Sequence, residues 1–213
     1  MNILLKGKPM FLKSTLNLIL FSTWFAVLSM QLPLAASENQ TSVEQRKEII
    51  LGDPDAPVFM IEYASLGCSH CADFHRDTFP KLKKNYIDTG KVKFVLRNFP
   101  LGTPSVAAAM IAHCAGPNRF FGMIEVFFRS QMQWGRANDP LNALKKSARF
   151  GGVTSANVDA CLQDQDLLNY VQKIAEMAQT KYNIKSTPSF IINEKVISGA
   201  LPYSDFKKLI DNI

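Results

Sequence analysis

The sequence predicts an α/β domain interrupted by a helical one, and three observations carry that prediction. A strand–helix–strand pattern occupies residues 58–98, residues 101–182 show helical periodicity, and residues 189–213 return to two short strands and a closing helix. Sheet-forming segments on both sides of a helical block make one interrupted domain, not two consecutive ones.

Each element has a local reason. Glu48 to Leu51 is expected as a short edge strand, followed by the turn cluster Gly52 to Pro57. Val58 to Tyr63 is an apolar run with one acid inside it, which suits a buried strand. Ala64 to Gly67 leads into a helix carrying Cys71, Phe74 and His75. Pro80 must kink or restart that helix because it has no N–H for the ladder. Leu82 and Tyr86 continue its apolar face, and Thr89-Gly90 ends it. From Lys91 to Asn98, Val92, Phe94 and Leu96 alternate with Lys91, Lys93 and Arg97, the period of a strand. The resulting βαβ unit implies a parallel pair.

In the middle, Val106, Met110 and Cys114 fall on one helical face, and Phe120, Met123, Ile124 and Phe127 on another. Asp139-Pro140 starts a helix with a cap and a proline in the first position, and Thr154 caps a second one. Leu167, Val171, Ile174 and Ala178 form the apolar stripe of a docked helix. Beyond it, Ser189–Ile192 and Lys195–Ile197 flank Asn193-Glu194 as a hairpin, and a closing helix from Tyr203 turns Phe206, Leu209 and Ile210 inward. The expected parts are therefore 38–100 and 183–213 for the α/β domain and 101–182 for the insertion.

The first 36 residues stand apart. Lys6, Lys8 and Lys13 precede an almost wholly apolar run from Leu16 to Leu34, and small residues follow. That is the pattern of a secretory signal peptide, with an uncleaved N-terminal anchor as the alternative. Either places the remainder outside the cytoplasm. The formal charge is +6 from 24 basic and 18 acidic residues; without the three leader lysines it is 21 against 18, or +3. So mild a charge, with no basic stripe among aromatics, argues against a nucleic-acid partner.

All four cysteines follow the leader, and an even count in an exported chain favours disulfide chemistry. Cys68-Ser69-His70-Cys71 sits where a strand meets a helix. Residues three apart at a helix start share a face, so the two sulfurs can reach bonding distance. Cys68 lies among unpaired N–H groups at the positive end of the helix, which favours its thiolate. His70, when protonated, would add to that effect. Cys71, one turn inward, is expected to be buried and to act second. The alternatives are a structural disulfide or half of a zinc site, and a zinc ribbon would want a second Cys-x-x-Cys, which is missing. Cys114 and Cys161 lie outside such a motif. Among two buried thiols, a second redox pair and a structural disulfide, the last is expected, contributing about 4 kcal/mol by loop closure. His75 and His113 read as helix residues with no constellation around them, and the phenylalanines 120, 121, 127 and 128 read as core.

The stretch from Glu62 to Cys71, with Ser186-Thr187-Pro188-Ser189-Phe190 far downstream, resembles the DsbA family of bacterial periplasmic thiol–disulfide oxidoreductases. The likeness spans essentially the whole exported chain, including the place and size of the insertion. It implies a thioredoxin fold with an inserted α-helical domain. It also implies a cis Pro188 against the redox pair, where Thr187 and Pro188 help bind substrate, and a buried Glu62 that relays a proton for Cys71. The substrates implied are reduced exported proteins, the reoxidant a quinone-linked DsbB-like membrane protein, and the location the periplasm, with no cofactor or metal. Ser-His between the cysteines and Thr before Pro188 depart from the best-known members, and Thr there is similar to the disulfide isomerases. Isomerase or reductase activity thus stands as the alternative enzyme, and a Cu(I) binder as the alternative of another class. Isomerases usually oligomerise through an added N-terminal segment, so the short polar lead-in here favours a monomer.

Overall fold

The computed structural model describes residues 46–213. The expected leader at 1–36 lies outside them. Its architecture follows from two alternating strands. Strand β2 (Val58–Ala64) and strand β3 (Val92–Asn98) pair in parallel, with Met60 opposite Phe94 and Glu62 opposite Leu96. The edge strand β1 is confined to Ile50–Leu51 and runs antiparallel to β3. Strands β4 (Ser189–Ile192) and β5 (Lys195–Ser198) form the expected hairpin, with β4 antiparallel to β2. Its turn residues Asn193 and Glu194 adopt positive φ of 41° and 73°, the conformation a two-residue hairpin turn requires. The five strands lie in the order β1-β3-β2-β4-β5.

Between β2 and β3 run helix α1 (Ser69–Asp77), helix α2 (Phe79–Leu82) and a π-turn at Lys83–Ile87. The break at Thr78 is the restart that Pro80 demands. Because strand side chains alternate, Met60, Glu62 and Ala64 point to one face and Ile61 and Tyr63 to the other. The first face is covered by α1 and by α9 (Tyr203–Asp211), where Phe74 meets Phe190 at 4.8 Å and Phe206 at 5.5 Å between ring centroids. Full burial of Phe206 gives this contact real weight: truncating such a side chain to Ala costs about 3–5 kcal/mol.

Six helices separate β3 from β4: α3 (Thr103–Cys114), α4 (Phe120–Arg129), α5 (Gln131–Gly135), α6 (Pro140–Phe150), α7 (Ser155–Leu162) and α8 (Gln165–Tyr182). Asp139 and Thr154 cap α6 and α7 through the N–H groups of Asn142 and Asn157. The stripe of α8 buries Leu167, Val171, Ile174 and Ala178 beside Ile61, Tyr63 and Ile191, the second face of the sheet. Helix α3 differs from its expected single apolar face. Ala108, Ile111 and Ala112 join the core of the first face while Ala109 and Met110 join that of the second. Its alanines are small enough to let it pass between the two cores, and Cys114 lies exposed at its end. The first core continues without a break into Phe120, Phe127, Trp134 and Leu144 of the insertion.

Candidate active site

Cys68 and Cys71 stand at the start of α1 as free thiols. Cys68 is the N-cap, with extended backbone (φ −85°, ψ 123°), and its side chain caps nothing, so its sulfur is left among the first N–H groups of the helix. Cys68 is half-buried and Cys71 fully buried. The Cys68 thiol is pulled down to about 5, chiefly by a hydrogen bond from the Cys71 thiol, with burial opposing. The Thr187 hydroxyl and the backbone N–H groups of Cys71 and His70 add to the depression. Cys71 moves the other way: burial pushes it up, and the Cys68 hydrogen bond and the negative charge of Glu62 push it further. Two neighbouring thiols held so far apart in acidity define one nucleophile and one proton-retaining partner.

His70 serves Cys68 through its main chain, while its ring is exposed. Thr187 touches the site twice. Its carbonyl accepts from the Cys68 thiol at 3.3 Å, and its buried hydroxyl has no hydrogen-bond partner. Ionisation of Cys68 removes the donor to that carbonyl and gives the hydroxyl something to donate to. The Thr187–Pro188 peptide is cis, and the Pro188 carbonyl accepts from Gly199 N at 2.9 Å.

Glu62 lies in the middle of β2, fully buried, on the face covered by α1. It does not stand alone. His75 Nε2 is 2.8 Å from its Oε2, and Oε1 has no hydrogen-bond partner. The reading of His75 as a residue without a constellation is therefore corrected: it lies one helical turn after Cys71 on the same face, a spacing that was visible in the sequence. His113 keeps its reading as a structural helix residue. Asn98 Nδ2 donates to its Nε2 at 3.1 Å, and burial lowers its pKa to about 4, so the ring is a neutral acceptor packed on Phe120 and Tyr170.

Two further contacts shape the loop ahead of the cysteines. The Gln131 side-chain amide, reaching from α5, donates to Leu66 O at 2.7 Å and Cys68 O at 2.9 Å. A Cβ on Gly67 would lie 2.3 Å from Ser105 Oγ, so a side chain there would have to displace that hydroxyl from its bond to Leu101 O. No sequence signal marks Gln131, because its partners are backbone carbonyls. Away from this site, Cys114 and Cys161 are bonded with Cα atoms 6.1 Å apart, joining α3 to α7. No group of three or more His, Cys, Asp or Glu suited to a metal occurs among the described residues.

The model of a thioredoxin family matches residues 44–212. A putative protein-disulfide oxidoreductase of Rickettsia bellii is 32% identical over 152 residues, 68% of this chain and 57% of that protein, so the chain spans little more than half the length of that relative. Disulfide bond formation protein D of Bacillus subtilis is 31% identical over 170 residues, 76% of this chain and 75% of that protein. Among solved structures, α-DsbA1 of Wolbachia pipientis is 33% identical with a TM-score of 0.74, covering 82% of this chain and 94% of that one. With the family model spanning most of its length and a paired-cysteine site at the start of α1, the chain belongs to the thioredoxin family, among its DsbA-like members.

Proposed function

We propose that this chain is a thiol–disulfide oxidoreductase that introduces disulfide bonds into exported proteins through Cys68 and Cys71. The observation that carries the reading is the split acidity of the pair, with Cys68 near 5 and Cys71 raised. A thiolate stabilised in the reduced enzyme makes the disulfide form oxidising, because electrons flow toward the state in which the sulfur is best held.

The steps follow from the geometry. In the oxidised enzyme a substrate thiolate bonds to Cys68 Sγ, the more exposed sulfur, and Cys71 leaves and takes up a proton. A second substrate thiolate then bonds to the substrate sulfur of that link. Cys68 departs as the thiolate that Cys71, Thr187 and the N–H groups of α1 are placed to receive. Thr187 and Pro188 are the proposed substrate contacts and Glu62 the proposed proton carrier for Cys71. The proposed setting is the periplasm, with a monomer acting on reduced exported proteins and reoxidised by a DsbB-like membrane protein. The expected leader at 1–36 would deliver it there.

One observation favours the second reading, a disulfide isomerase or reductase: the residue before Pro188 is Thr, and it contacts the nucleophile. Oxidation of a reduced peptide dithiol, run beside refolding of scrambled ribonuclease, separates the two. Stoichiometric oxidation with little unscrambling supports the oxidase. Efficient unscrambling by the reduced chain moves the assignment to the isomerase. Mixed disulfides trapped by Cys71→Ala support either enzyme, whereas one equivalent of Cu(I) held by the reduced chain without such adducts supports a metal binder.

A further inference from the structure

The Glu62–His75 pair is an unusual thing to bury. None of the Glu62 side chain and 8% of the His75 side chain reach solvent, and their polar atoms meet at 2.8 Å. A buried carboxyl with one unpartnered oxygen is costly unless a neighbour compensates it or a function retains it. The pair also has a direction. Cys71 and His75 occupy one face of α1, and the Glu62 carboxylate acts on Cys71 from the strand below. His75 holds that carboxylate and alone of the pair has an edge at the surface.

The surroundings of the ring are otherwise apolar. Phe79 from α2 and Phe128 from α4 lie 4.7 and 4.4 Å from it between centroids, and Phe74 of its own helix 5.4 Å away. The titratable group that touches it is Glu62 of β2, and Cys71 lies one turn earlier on the same helix. Asp73, Arg76 and Asp77, its charged neighbours in α1, are paired with one another.

We propose that His75 is a positioning residue for the redox reaction, fixing Glu62 beneath Cys71 and moving its proton between that buried carboxyl and solvent. The inference rests on the oxidoreductase reading and adds a proton route to it. When a substrate thiolate bonds to Cys68, the Cys68–Cys71 bond breaks and its electron pair leaves on Cys71 Sγ. That sulfur takes the proton of the Glu62 carboxyl, and Glu62 is reprotonated through His75 Nε2 from the surface. In the reverse direction Cys71 gives its proton to Glu62, and its thiolate displaces the group bound to Cys68.

The test follows, by stopped flow, how Cys71 resolves a mixed disulfide formed between the reduced chain and oxidised glutathione. The pH range is about 5 to 8. The variants are His75→Phe, which keeps a ring against Phe128, His75→Gln, which keeps a donor, Glu62→Gln, and the His75→Phe/Glu62→Gln pair. Each single variant is expected to slow resolution by about 10²-fold, the low end for a positioned proton carrier, and to flatten the pH profile. The double variant is expected to be no slower than Glu62→Gln. It also removes the buried charge, so it serves where His75→Phe alone does not fold. A wild-type rate and profile in His75→Phe, or in His75→Gln, would overturn the proposal, as would losses that multiply in the double variant. A wild-type chain that forms no mixed disulfide at all sinks the oxidoreductase reading as well. Mixed disulfides that form normally and are resolved at the wild-type rate in both His75 variants sink only the proton route.

Discussion

Lowering the pH should weaken the reduced protein more than the oxidised one, by an amount set by Cys68. In the folded chain this thiol ionises near 5. In the unfolded chain it returns to an ordinary value of about 8.5. A depressed folded value means that the unfolded state binds the extra proton between those limits. The stability Cys68 contributes is therefore fully present above about 8.5 and is lost as pH falls through 5. The part in force at pH 7 spans two pH units, about 2.7 kcal/mol at face value. Cys68 is half open to solvent, which screens the interactions behind the shift and leaves about 1–2 kcal/mol. Cys71 does not interfere, because its raised value keeps it protonated throughout this window. The assay is urea unfolding of both redox forms at about pH 7 and about pH 4, the oxidised form cancelling every group other than the two thiols. The reduced-minus-oxidised stability should fall by about 1–2 kcal/mol between these conditions. A difference independent of pH, or one that grows on acidification, would refute the reasoning.

Three other outcomes are expected. Gln131→Leu leaves the Leu66 and Cys68 carbonyls without their side-chain donor, at a cost of about 1–3 kcal/mol by urea unfolding, with Cys68 reacting more slowly toward a disulfide probe. Gly67→Ala should lower Tm sharply because its methyl meets Ser105 Oγ, and Ser105→Ala in the same chain should restore much of the loss, since the remaining Cβ is 3.7 Å away. Replacing Cys114 and Cys161 together by Ala should cost about 4 kcal/mol of stability through loop closure over their 47-residue separation, while leaving the acidity of Cys68 unchanged.

Much of this was legible in the sequence because it rests on local rules. The alternation of Val92, Phe94 and Leu96, the Pro80 restart and the caps at Asp139 and Thr154 each depend on a few adjacent residues, and each element formed where expected. The cysteine pair and Thr187–Pro188 were legible as motifs. What escaped depends on register between distant segments. His75 reads as a spare helix histidine until the β2 pleat sets Glu62 13 residues earlier against it. Gln131 reads main-chain carbonyls, which every sequence offers. Helix α3 hid its double burial behind alanines, whose small side chains give no amphipathic stripe. His70 shows the opposite case: the motif pointed to its ring, whereas helix geometry brings its N–H to the sulfur.

The central claim is that the start of α1 turns Cys68 into a thiolate at neutral pH. Its most direct test is the ultraviolet thiolate absorbance of the reduced protein, titrated across pH with Cys68→Ala as the blank. The account predicts a midpoint near 5 for Cys68. A midpoint near the free-thiol value of about 8.5 would contradict it, because the reduced protein would then hold no stabilised Cys68 thiolate from which to drive disulfide formation.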